Sequence, residues 1–370
     1  MMRVVLAGGG TAGHVNPLLA VASELIRDDL CRSDDILVIG TKEGLETTLV
    51  PAAGLTLRTI ARLPFPRRLT GSALLFWPRF AAAVVASVKL LRAHRPDVVA
   101  GFGGYVSAPV YVAAWLLRLP LVIHEANAVP GFANRLGARL TSHVVTTFSL
   151  TKLPHARVLG MPMPRAITHP SRRLSASEAR AHFGLSPRKK TLLVTGGSQG
   201  SASINATVQS VVEDIVDAGW QVLHIVGSRN PLPTNPPKGY VALQYCDQMD
   251  YALATASAII SRAGAATVSE IQLLGIPAVF VPYPVGNGEQ EKNAWDSLHA
   301  GSAVLVSDSD FTPDYVRATV LPLLGDDAAL TRMRERARGL GRADAAEAFV
   351  AVMVSAHRAE RKRSAWSNQS

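Results

Sequence analysis

Short apolar runs alternate with longer segments of helical periodicity along most of the chain. The first run, Val4–Ala7, is followed by a glycine-rich turn and by apolar positions within residues 18–26 that share one helix face. Continuous apolar strands separated by helices are typical of a parallel sheet covered on both faces. We therefore predict an α/β protein, with further strands at residues 36–39, 98–100, 121–123 and 144–145.

The pattern lapses between residues 162 and 190 and then restarts in the same way. The lapse is rich in Pro, Ser, Arg and Lys, with one predicted helix near residues 175–183, as expected of a domain boundary. We predict two Rossmann-like, doubly wound parallel-sheet domains facing a cleft, residues 1–163 and 164–342, with a C-terminal helix and basic tail (343–370) packing back on the first. Strands of the second domain are predicted at residues 192–195, 222–226, 240–245, 258–260, 278–281 and 303–306.

The loop after the first strand is a candidate anion site. Residues 8–13 fit the G-x-G-x-x-G pattern, and Pro17 suits the first position of the next helix, whose N-terminus favours negative charge. An NAD site requires an acid after the second strand, where this chain has Gly-Thr-Lys at 40–42, so we expect another ligand. His14 stands in the mouth of the loop, and position alone leaves a catalytic and a structural role equally open.

Composition and charge exclude several classes of protein. The chain has 370 residues, of which 48% are hydrophobic, and a formal charge of +10, but no nucleic-acid-binding motif accompanies the basic residues. It shows no signal-peptide pattern and no apolar run of about 20 residues, the length that spans a bilayer. Its two cysteines, Cys31 and Cys246, share no metal-ligand spacing. We therefore expect a cytoplasmic protein with no metal site and no nucleic-acid partner.

Arginines and bulky apolar residues are concentrated between residues 62 and 80. This composition is typical of a surface that lies on anionic lipid, but also of a core helix that follows solvated arginines. Composition alone favours the core helix. The residues that would form the membrane patch are Leu74, Leu75, Phe76, Trp77, Arg79 and Phe80.

The most specific stretch, residues 261–270, follows a predicted strand and opens a helix. Its small residues let a bulky anion approach the backbone, and the hydroxyls of Thr267 and Ser269 can donate to phosphate. Glu270 is placed to accept from ribose hydroxyls. A capped helix with an early acid is the alternative, but the combination favours a nucleotide site. Gln290 and Asn293, three residues apart on the next helix, suit sugar hydroxyls because amides both donate and accept.

Other polar segments follow strand ends or precede a helix. Residues 101–107 and 124–127 should point to the same cleft as His14, although buried structural polar residues are the alternative. Residues 308–310 resemble the D-x-D metal motif of some sugar transferases. They run into a helix start capped by Thr312, so we interpret them as loop and cap.

These motifs occur together and in order over nearly the whole chain, and their combination resembles the MurG family of peptidoglycan synthesis, which has the glycosyltransferase-B fold. The family's G-N-P-V-R junction reads G-M-P-M-P-R at residues 160–165, so the arginine, Arg165, stands one residue later. The matching segments are the glycine loop with His14, GFGGYVS at 101–107, HEAN at 124–127, GGSQG at 196–200, GAATVSE at 264–270, and Gln290 with Asn293.

The resemblance implies an inverting hexosyltransferase at the cytoplasmic face of the cell membrane. It would move N-acetylglucosamine from UDP-GlcNAc to the 4-hydroxyl of undecaprenyl-pyrophosphoryl-MurNAc-pentapeptide, converting lipid I to lipid II. It also favours the membrane patch over the core helix, and it implies contacts with an anionic membrane and with other cell-wall and division proteins. No cofactor is needed, because UDP leaves readily and helix N-termini can stabilise its diphosphate. A sugar hydroxyl needs a base, for which His14 is the candidate, kept neutral by the helix N-terminus.

The same resemblance assigns the remaining site residues. UDP-GlcNAc would be bound by Thr11, Ala12, Gly13, Asn127, Arg165, Ser198, Cys246, Ala265, Ala266, Thr267, Val268, Ser269, Glu270, Gln290 and Asn293. The acceptor side would be formed by Gly103, Gly104, Tyr105, His124 and Glu125. Two other functions stay open: a UDP-GlcNAc 2-epimerase, which shares the architecture, and a nucleotide-sugar sensor without catalysis.

Overall fold

The computed structural model describes residues 1–63, 76–169, 175–285 and 287–367, which divide into two compact units. The first unit comprises Met1–Pro164 and Asp344–Ser370, and the second comprises Arg165–Ala343. Each unit is built on one sheet whose strands are all parallel. The predicted fold class is therefore confirmed. Among the described residues, no helix combines the length and apolar character needed to cross a bilayer.

The first unit has seven strands. They are β1 (Val4–Ala7), β2 (Ile36–Gly40), β3 (Thr56–Thr59), β4 (Val98–Gly101), β5 (Leu121–Glu125), β6 (His143–Thr146) and β7 (Ala156–Val158), and their order in the sheet is β3-β2-β1-β4-β5-β6-β7. The helices are α1 (Ala12–Arg27), α2 (Glu46–Ala52), α3 (Phe76–His94), α4 (Ser107–Leu116), α5 (Phe132–Gly137) and the C-terminal α17 (Ala345–Ser367), with a 3₁₀ turn at Ser33–Asp35.

Helices cover both faces of this sheet. On one face α1 and α17 pack together, with Leu25 and Phe349 in the core. On the other face α3 and α4 contribute Leu91 and Tyr111. Burial on both faces explains why the central strands are continuous apolar runs. The edge strands β3 and β7 are largely exposed and have no such run, so the sequence pattern did not predict them.

The second unit has six strands. They are β8 (Thr191–Thr195), β9 (Gln221–Ile225), β10 (Tyr240–Leu243), β11 (Ala258–Ser261), β12 (Ala278–Phe280) and β13 (Ala303–Leu305), in the order β10-β9-β8-β11-β12-β13. Its helices are α6 (Arg165–Thr168), α7 (Ala176–His182), α8 (Ala202–Ser210), α9 (Val212–Asp217), α10 (Met249–Thr255), α11 (Ala265–Leu274), α12 (Glu289–Asn293), α13 (Trp295–His299), α14 (Pro313–Tyr315), α15 (Leu321–Gly325) and α16 (Asp327–Arg338); a π-helical turn, Val316–Val320, joins α14 to α15. Helix α7 is the one predicted in the boundary, and Ser175 caps it.

The first helix begins earlier than we expected from Pro17. Thr11 is the extended N-cap, and its carbonyl accepts hydrogen bonds from the N–H groups of His14 and Val15. Pro17 therefore lies inside α1 and not at its first position, so that prediction is wrong. As a consequence, His14 is held in the first turn of a helix and not in the loop that precedes it.

The predicted membrane patch is divided in the structure. Phe76 is only 7% exposed and belongs to the core under α3, where its ring stacks on the half-buried Phe80 at a centroid distance of 5.8 Å. These two residues support the core-helix alternative. Trp77, by contrast, is 65% exposed, and Arg79 is exposed as well. Leu74 and Leu75 lie outside the described residues.

Candidate active site

Two glycine-containing loops meet where the strand order of the first sheet reverses. One loop follows β1 and the other follows β4, and these strands are neighbours. The carboxyl ends of strands at such a reversal are the usual ligand site of an open α/β sheet. Gly103 and Gly104 have φ values of +90° and +83°. A Cβ on Gly104 would lie 2.5 Å from the carbonyl oxygen of Gly9, so only glycine allows the loops to approach this closely.

His14 lies between these loops with its ring fixed. Its Nδ1 is 3.2 Å from the carbonyl oxygen of Gly9 and 3.3 Å from Oγ1 of Thr11. Because a carbonyl only accepts hydrogen bonds, Nδ1 donates to Gly9 and the lone pair is left on Nε2. A Cβ added to Gly103 would be 3.2 Å from Nε2, so the ring edge faces that glycine.

The half-buried position of His14 sets its protonation state. Burial lowers the pKa of His14 below its ordinary value, while the hydrogen bond to Gly9 and the charge of Glu46 oppose this in part. The imidazole is therefore neutral near pH 7 and able to accept a proton. The direction agrees with the prediction from sequence, but burial is the main cause.

Sequence reasoning missed Glu46, the fully buried first residue of α2. Its Oε2 accepts a hydrogen bond from the N–H of Gly10 at 2.8 Å, and its Oε1 accepts from the N–H and Oγ1 of Thr41 at 2.8 and 2.7 Å. Burial by itself would raise the pKa of Glu46, but these hydrogen bonds outweigh it and hold the pKa below its usual range. The acid of this region does not follow β2 directly but stands at position 46, five residues past Thr41.

Glu125 organises the loop that follows β5. This buried carboxylate accepts from the backbone N–H of Asn127 at 2.9 Å, from the N–H of Gly131 at 3.0 Å and from Nδ2 of Asn134 at 2.9 Å. The carbonyl of Asn127 in turn accepts from Oγ1 of Thr151 at 3.1 Å. Glu125 therefore holds the loop after β5 in place, and the half-buried Asn127 lies on that loop.

His124 does not lie where we expected it. It is fully buried, packs against the rings of Phe102 and Phe349, and its Nε2 donates to the carbonyl of Gly160 at 3.1 Å. Burial lowers the pKa of His124 to about 4, so it is neutral. Its position fits an internal anchor and not a contact with an acceptor. Tyr105 is 40% exposed, with the Arg62 guanidinium 5.8 Å from its ring centroid.

In the second unit, helix α11 begins at Ala265, and its N-cap residue, Gly264, has no side chain to cap this end. Ala265 and Val268 are buried, Ala266 and Thr267 are half-buried. The hydroxyl of Ser269 is buried and donates to the carbonyl of Ala265 at 2.9 Å. Of the two hydroxyls that we expected to reach a phosphate, Thr267 alone is accessible, because Ser269 points back into its own helix.

Glu270 is a half-buried carboxyl on the same helix. Burial raises its pKa to about 7, with no opposing hydrogen bond or charge. A carboxylate in this state is stabilised by any hydroxyl that donates to it. Glu270 is therefore able to accept hydrogen bonds from hydroxyl groups, as the sequence led us to expect.

The two side-chain amides of α12 form hydrogen bonds with the protein backbone. Oε1 of Gln290 accepts from the N–H of Tyr283 at 3.0 Å, and Nδ2 of the buried Asn293 donates to the carbonyl of Ala263 at 3.2 Å. Asn293 thus supports the loop before α11 and does not reach a sugar in this arrangement, contrary to expectation. Three other residues of the second unit were predicted to contact UDP-GlcNAc. Ser198 and Arg165 are exposed, and Cys246 is half-buried.

A second feature that the sequence did not predict is the buried Arg262, directly after β11. Its guanidinium pairs with Asp308 and donates to Oγ of Ser201 at 2.7 Å and of Ser203 at 3.1 Å. Asp308 is thus engaged by an arginine at the carboxyl edge of the second sheet. Thr312 caps α14 by accepting from the N–H of Tyr315, which confirms the loop-and-cap interpretation of this segment.

The class of protein follows from two family models, which match the two sheet-bearing parts of the chain. The chain matches the glycosyltransferase family 28 N-terminal domain over residues 4–146 and the family's C-terminal domain over residues 191–349. The chain therefore belongs to glycosyltransferase family 28.

The chain is also similar to individual relatives and solved structures. It is 52% identical, over 94% of each chain, to the UDP-N-acetylglucosamine–N-acetylmuramyl-(pentapeptide) pyrophosphoryl-undecaprenol N-acetylglucosamine transferase of Clavibacter michiganensis subsp. michiganensis. A crystal structure of Acinetobacter baumannii MurG has a TM-score of 0.78 at 26% identity, with 96% of this chain and 100% of that chain covered. A putative UDP-N-acetylglucosamine 2-epimerase of Listeria monocytogenes, at 13% identity, TM-score 0.66 and 96% coverage of each chain, shares the fold alone.

Proposed function

We propose that the chain transfers N-acetylglucosamine from UDP-GlcNAc to the 4-hydroxyl of undecaprenyl-pyrophosphoryl-MurNAc-pentapeptide, the step from lipid I to lipid II in peptidoglycan synthesis. The observation that carries the chemistry is a neutral, half-buried His14 whose Nδ1 is held by Gly9 and whose Nε2 has a free lone pair. The 52% identity to a transferase of that name supports the choice of substrates.

The proposed reaction is a single displacement with inversion. The acceptor hydroxyl oxygen bonds to the anomeric carbon, while the bond from that carbon to the diphosphate oxygen breaks and its electron pair leaves with UDP. The hydroxyl proton passes to Nε2 of His14, which becomes an imidazolium. We assign the donor mainly to the second unit, at the N-terminus of α11 and at Glu270, where backbone N–H groups favour the diphosphate.

One experiment separates the proposal from its alternatives. The purified protein is incubated with UDP-GlcNAc alone and then with a polyprenyl-pyrophosphoryl-MurNAc-pentapeptide acceptor. The transferase releases UDP rapidly only when the acceptor is present. Formation of the ManNAc nucleotide without acceptor would identify an epimerase, and binding without turnover in either mixture would identify a sensor.

Replacing Glu270 with alanine should weaken UDP-GlcNAc binding about 10- to 100-fold, because a hydrogen bond to a charged group contributes roughly 1.5–3 kcal/mol. Titration calorimetry measures the effect directly. The matched control is Glu335→Ala, which removes an exposed acid of the same unit from α16. Equal donor affinity in the wild type and the Glu270 variant would remove Glu270 from the site.

Donor binding should also depend on pH. Ribose hydroxyls donate to the ionised carboxylate, and with the pKa of Glu270 at about 7 the ionised fraction rises about tenfold from pH 6 to pH 8. The Kd for UDP-GlcNAc should therefore fall about tenfold over that range, and the profile should be flat in Glu270→Gln. The free energy of unfolding of the unliganded protein should follow the opposite trend. Its folded state retains a proton that the unfolded chain has lost, so this group makes the free energy of unfolding fall as pH rises towards 7.

We also propose that the first unit lies on anionic lipid at the cytoplasmic face of the cell membrane. Trp77 and Arg79, both exposed in the first turn of α3, support this. Trp77→Ser should weaken binding to phosphatidylglycerol vesicles about tenfold. The control is Trp115→Ser. Trp115 is also exposed (55%) but lies on a different helix, near the C-terminal end of α4, so this variant should bind vesicles as the wild type does. Phe76 must be left intact, because its loss would open the core. Equal retention of both variants on vesicles would refute the proposal.

A further inference from the structure

One peptide group connects the buried carboxylate of Glu46 to the ring of His14. Its N–H, that of Gly10, donates to Oε2 of Glu46 at 2.8 Å. Its C=O, that of Gly9, lies 3.2 Å from Nδ1 of His14. Because Nδ1 donates to this carbonyl, a continuous chain of hydrogen bonds runs from the carboxylate through the peptide to the imidazole. Hydrogen bonds in such a chain polarise one another where the dielectric constant is low.

The structure fixes this carboxylate from all sides. Its other oxygen is held twice by Thr41, through the backbone N–H and through Oγ1. A Cβ on Gly9 or Gly44 would overlap the carboxyl group, and a Cβ on Gly40 would lie 2.6 Å from Cγ of Glu46. Three backbone positions without side chains therefore make room for a charge that has no access to water. Burying a charge is costly unless it is fully hydrogen-bonded, and here three donors compensate.

We propose that Glu46 is a positioning residue for His14 and acts through the Gly9–Gly10 peptide group. The inference rests on the proposed function, in which Nε2 of His14 takes the proton of the acceptor hydroxyl. Glu46 fixes the plane of the peptide, the peptide carbonyl fixes Nδ1–H, and the lone pair of Nε2 is thereby oriented. When Nε2 gains its proton the ring becomes positive, and the carboxylate stabilises this charge through the polarised peptide.

The electrostatic surroundings of His14 assign this stabilisation to Glu46. Glu46, from α2, raises the pKa of His14. His124, from β5, interacts with His14 but is kept neutral by burial, with a pKa of about 4. Glu125, the other buried carboxylate of this region, is engaged by two backbone N–H groups and by Nδ2 of Asn134. At neutral pH the negative charge that acts on the ring is therefore that of Glu46. Its removal should make the imidazolium less favourable and lower the pKa of His14.

Glu46→Gln tests the proposal, because the amide has the same shape but no charge, and one of its ends must oppose a backbone N–H. We expect kcat to fall about 10- to 100-fold with UDP-GlcNAc affinity unchanged. The acid limb of kcat/KM should move to lower pH by about half a unit or more. Glu46→Asp restores the charge and should return that limb close to its wild-type position, even if kcat stays reduced.

The matched control is Glu24→Gln, which removes another buried carboxylate of the first unit, the ion-pair partner of Arg27. It should lower the melting temperature without moving the pH profile. A Glu46→Gln enzyme with an unmoved acid limb, or with activity reduced only in proportion to its folded fraction as in Glu24→Gln, would overturn the inference.

A second measurement separates this inference from the proposed function. The pKa of His14 is followed directly by ¹⁵N NMR of the imidazole, with the resonance assigned from a His14 variant, and should be lower in Glu46→Gln than in the wild type. If the wild type transfers no sugar to the acceptor, the proposed function fails, yet this shift still tests the coupling. If the wild type is active and the shift is absent, the coupling alone fails.

Discussion

Replacing His14 with alanine should lower kcat by about 10²- to 10⁴-fold, the usual contribution of a general base. UDP-GlcNAc should still bind, because we assign the donor mainly to residues of the second unit. The measurements are steady-state kinetics at saturating acceptor and calorimetry with the donor. His155→Asn is the control, since His155 is an exposed histidine of the same unit whose positive φ asparagine tolerates. A turnover number close to that of the wild type would leave the base unassigned.

A structural role for His14 has to be separated from a catalytic one, because its ring also holds the glycine loop through Gly9. His14→Asn makes this separation. The asparagine amide can donate to the Gly9 carbonyl much as Nδ1 does, but it has no group that accepts a proton at neutral pH. We expect this variant to keep most of the stability that the alanine variant loses and to remain as inactive. Recovery of turnover in His14→Asn would favour the structural role.

Gly104→Ala should lower kcat by about 10²-fold, the effect expected from misplacing a catalytic group by roughly 1 Å. The new Cβ would lie 2.5 Å from the carbonyl oxygen of Gly9, and neither backbone can move freely. The carbonyl that orients His14 must therefore shift.

Backbone strain alone would also destabilise this variant, since Gly104 has a φ of +83°. Gly54→Ala controls for strain, because Gly54 has a φ of +71° in the same unit but open space where the Cβ would be. Both variants should melt at a lower temperature, whereas kcat per folded molecule should fall in Gly104→Ala only. Equal kcat in the two variants would show that the loops tolerate the contact.

Much of the fold is predictable because burial on both faces of a parallel sheet leaves a strong apolar signal. Strands such as Val98–Gly101 and Thr191–Thr195 were predicted within a residue at each end. The edge strands of the first sheet, β3 and β7, were not predicted, since β7 is exposed along its whole length and its sequence reflects solvent. The start of α1 was misplaced because proline is tolerated inside a helix when tertiary packing supplies the stability.

The candidate site was predictable by position but not by side-chain direction. Residues 124–127 and 264–270 do follow strand ends, as expected. Which side chains reach the surface depends on the pleat of β5 and on the rotation of α11 about its own axis. The spacing of residues in the sequence gives neither. His124 and Ser269 therefore turned inward, while Glu270 did not. Glu46 was missed because two of its three hydrogen-bond donors are backbone N–H groups, which leave no residue signature beyond nearby glycines.

The packing of α17 on the first sheet has a consequence for biosynthesis. The ring of Phe349 lies 5.3 Å from that of Phe102, so residues almost 250 positions apart complete one core. The second unit is continuous in sequence and can close as soon as it leaves the ribosome, whereas the face of the first sheet that bears α1 stays partly uncovered until α17 is synthesised. The portion translated first is therefore the last to complete its core, and the apolar surface that α17 covers is exposed on the nascent chain during that interval.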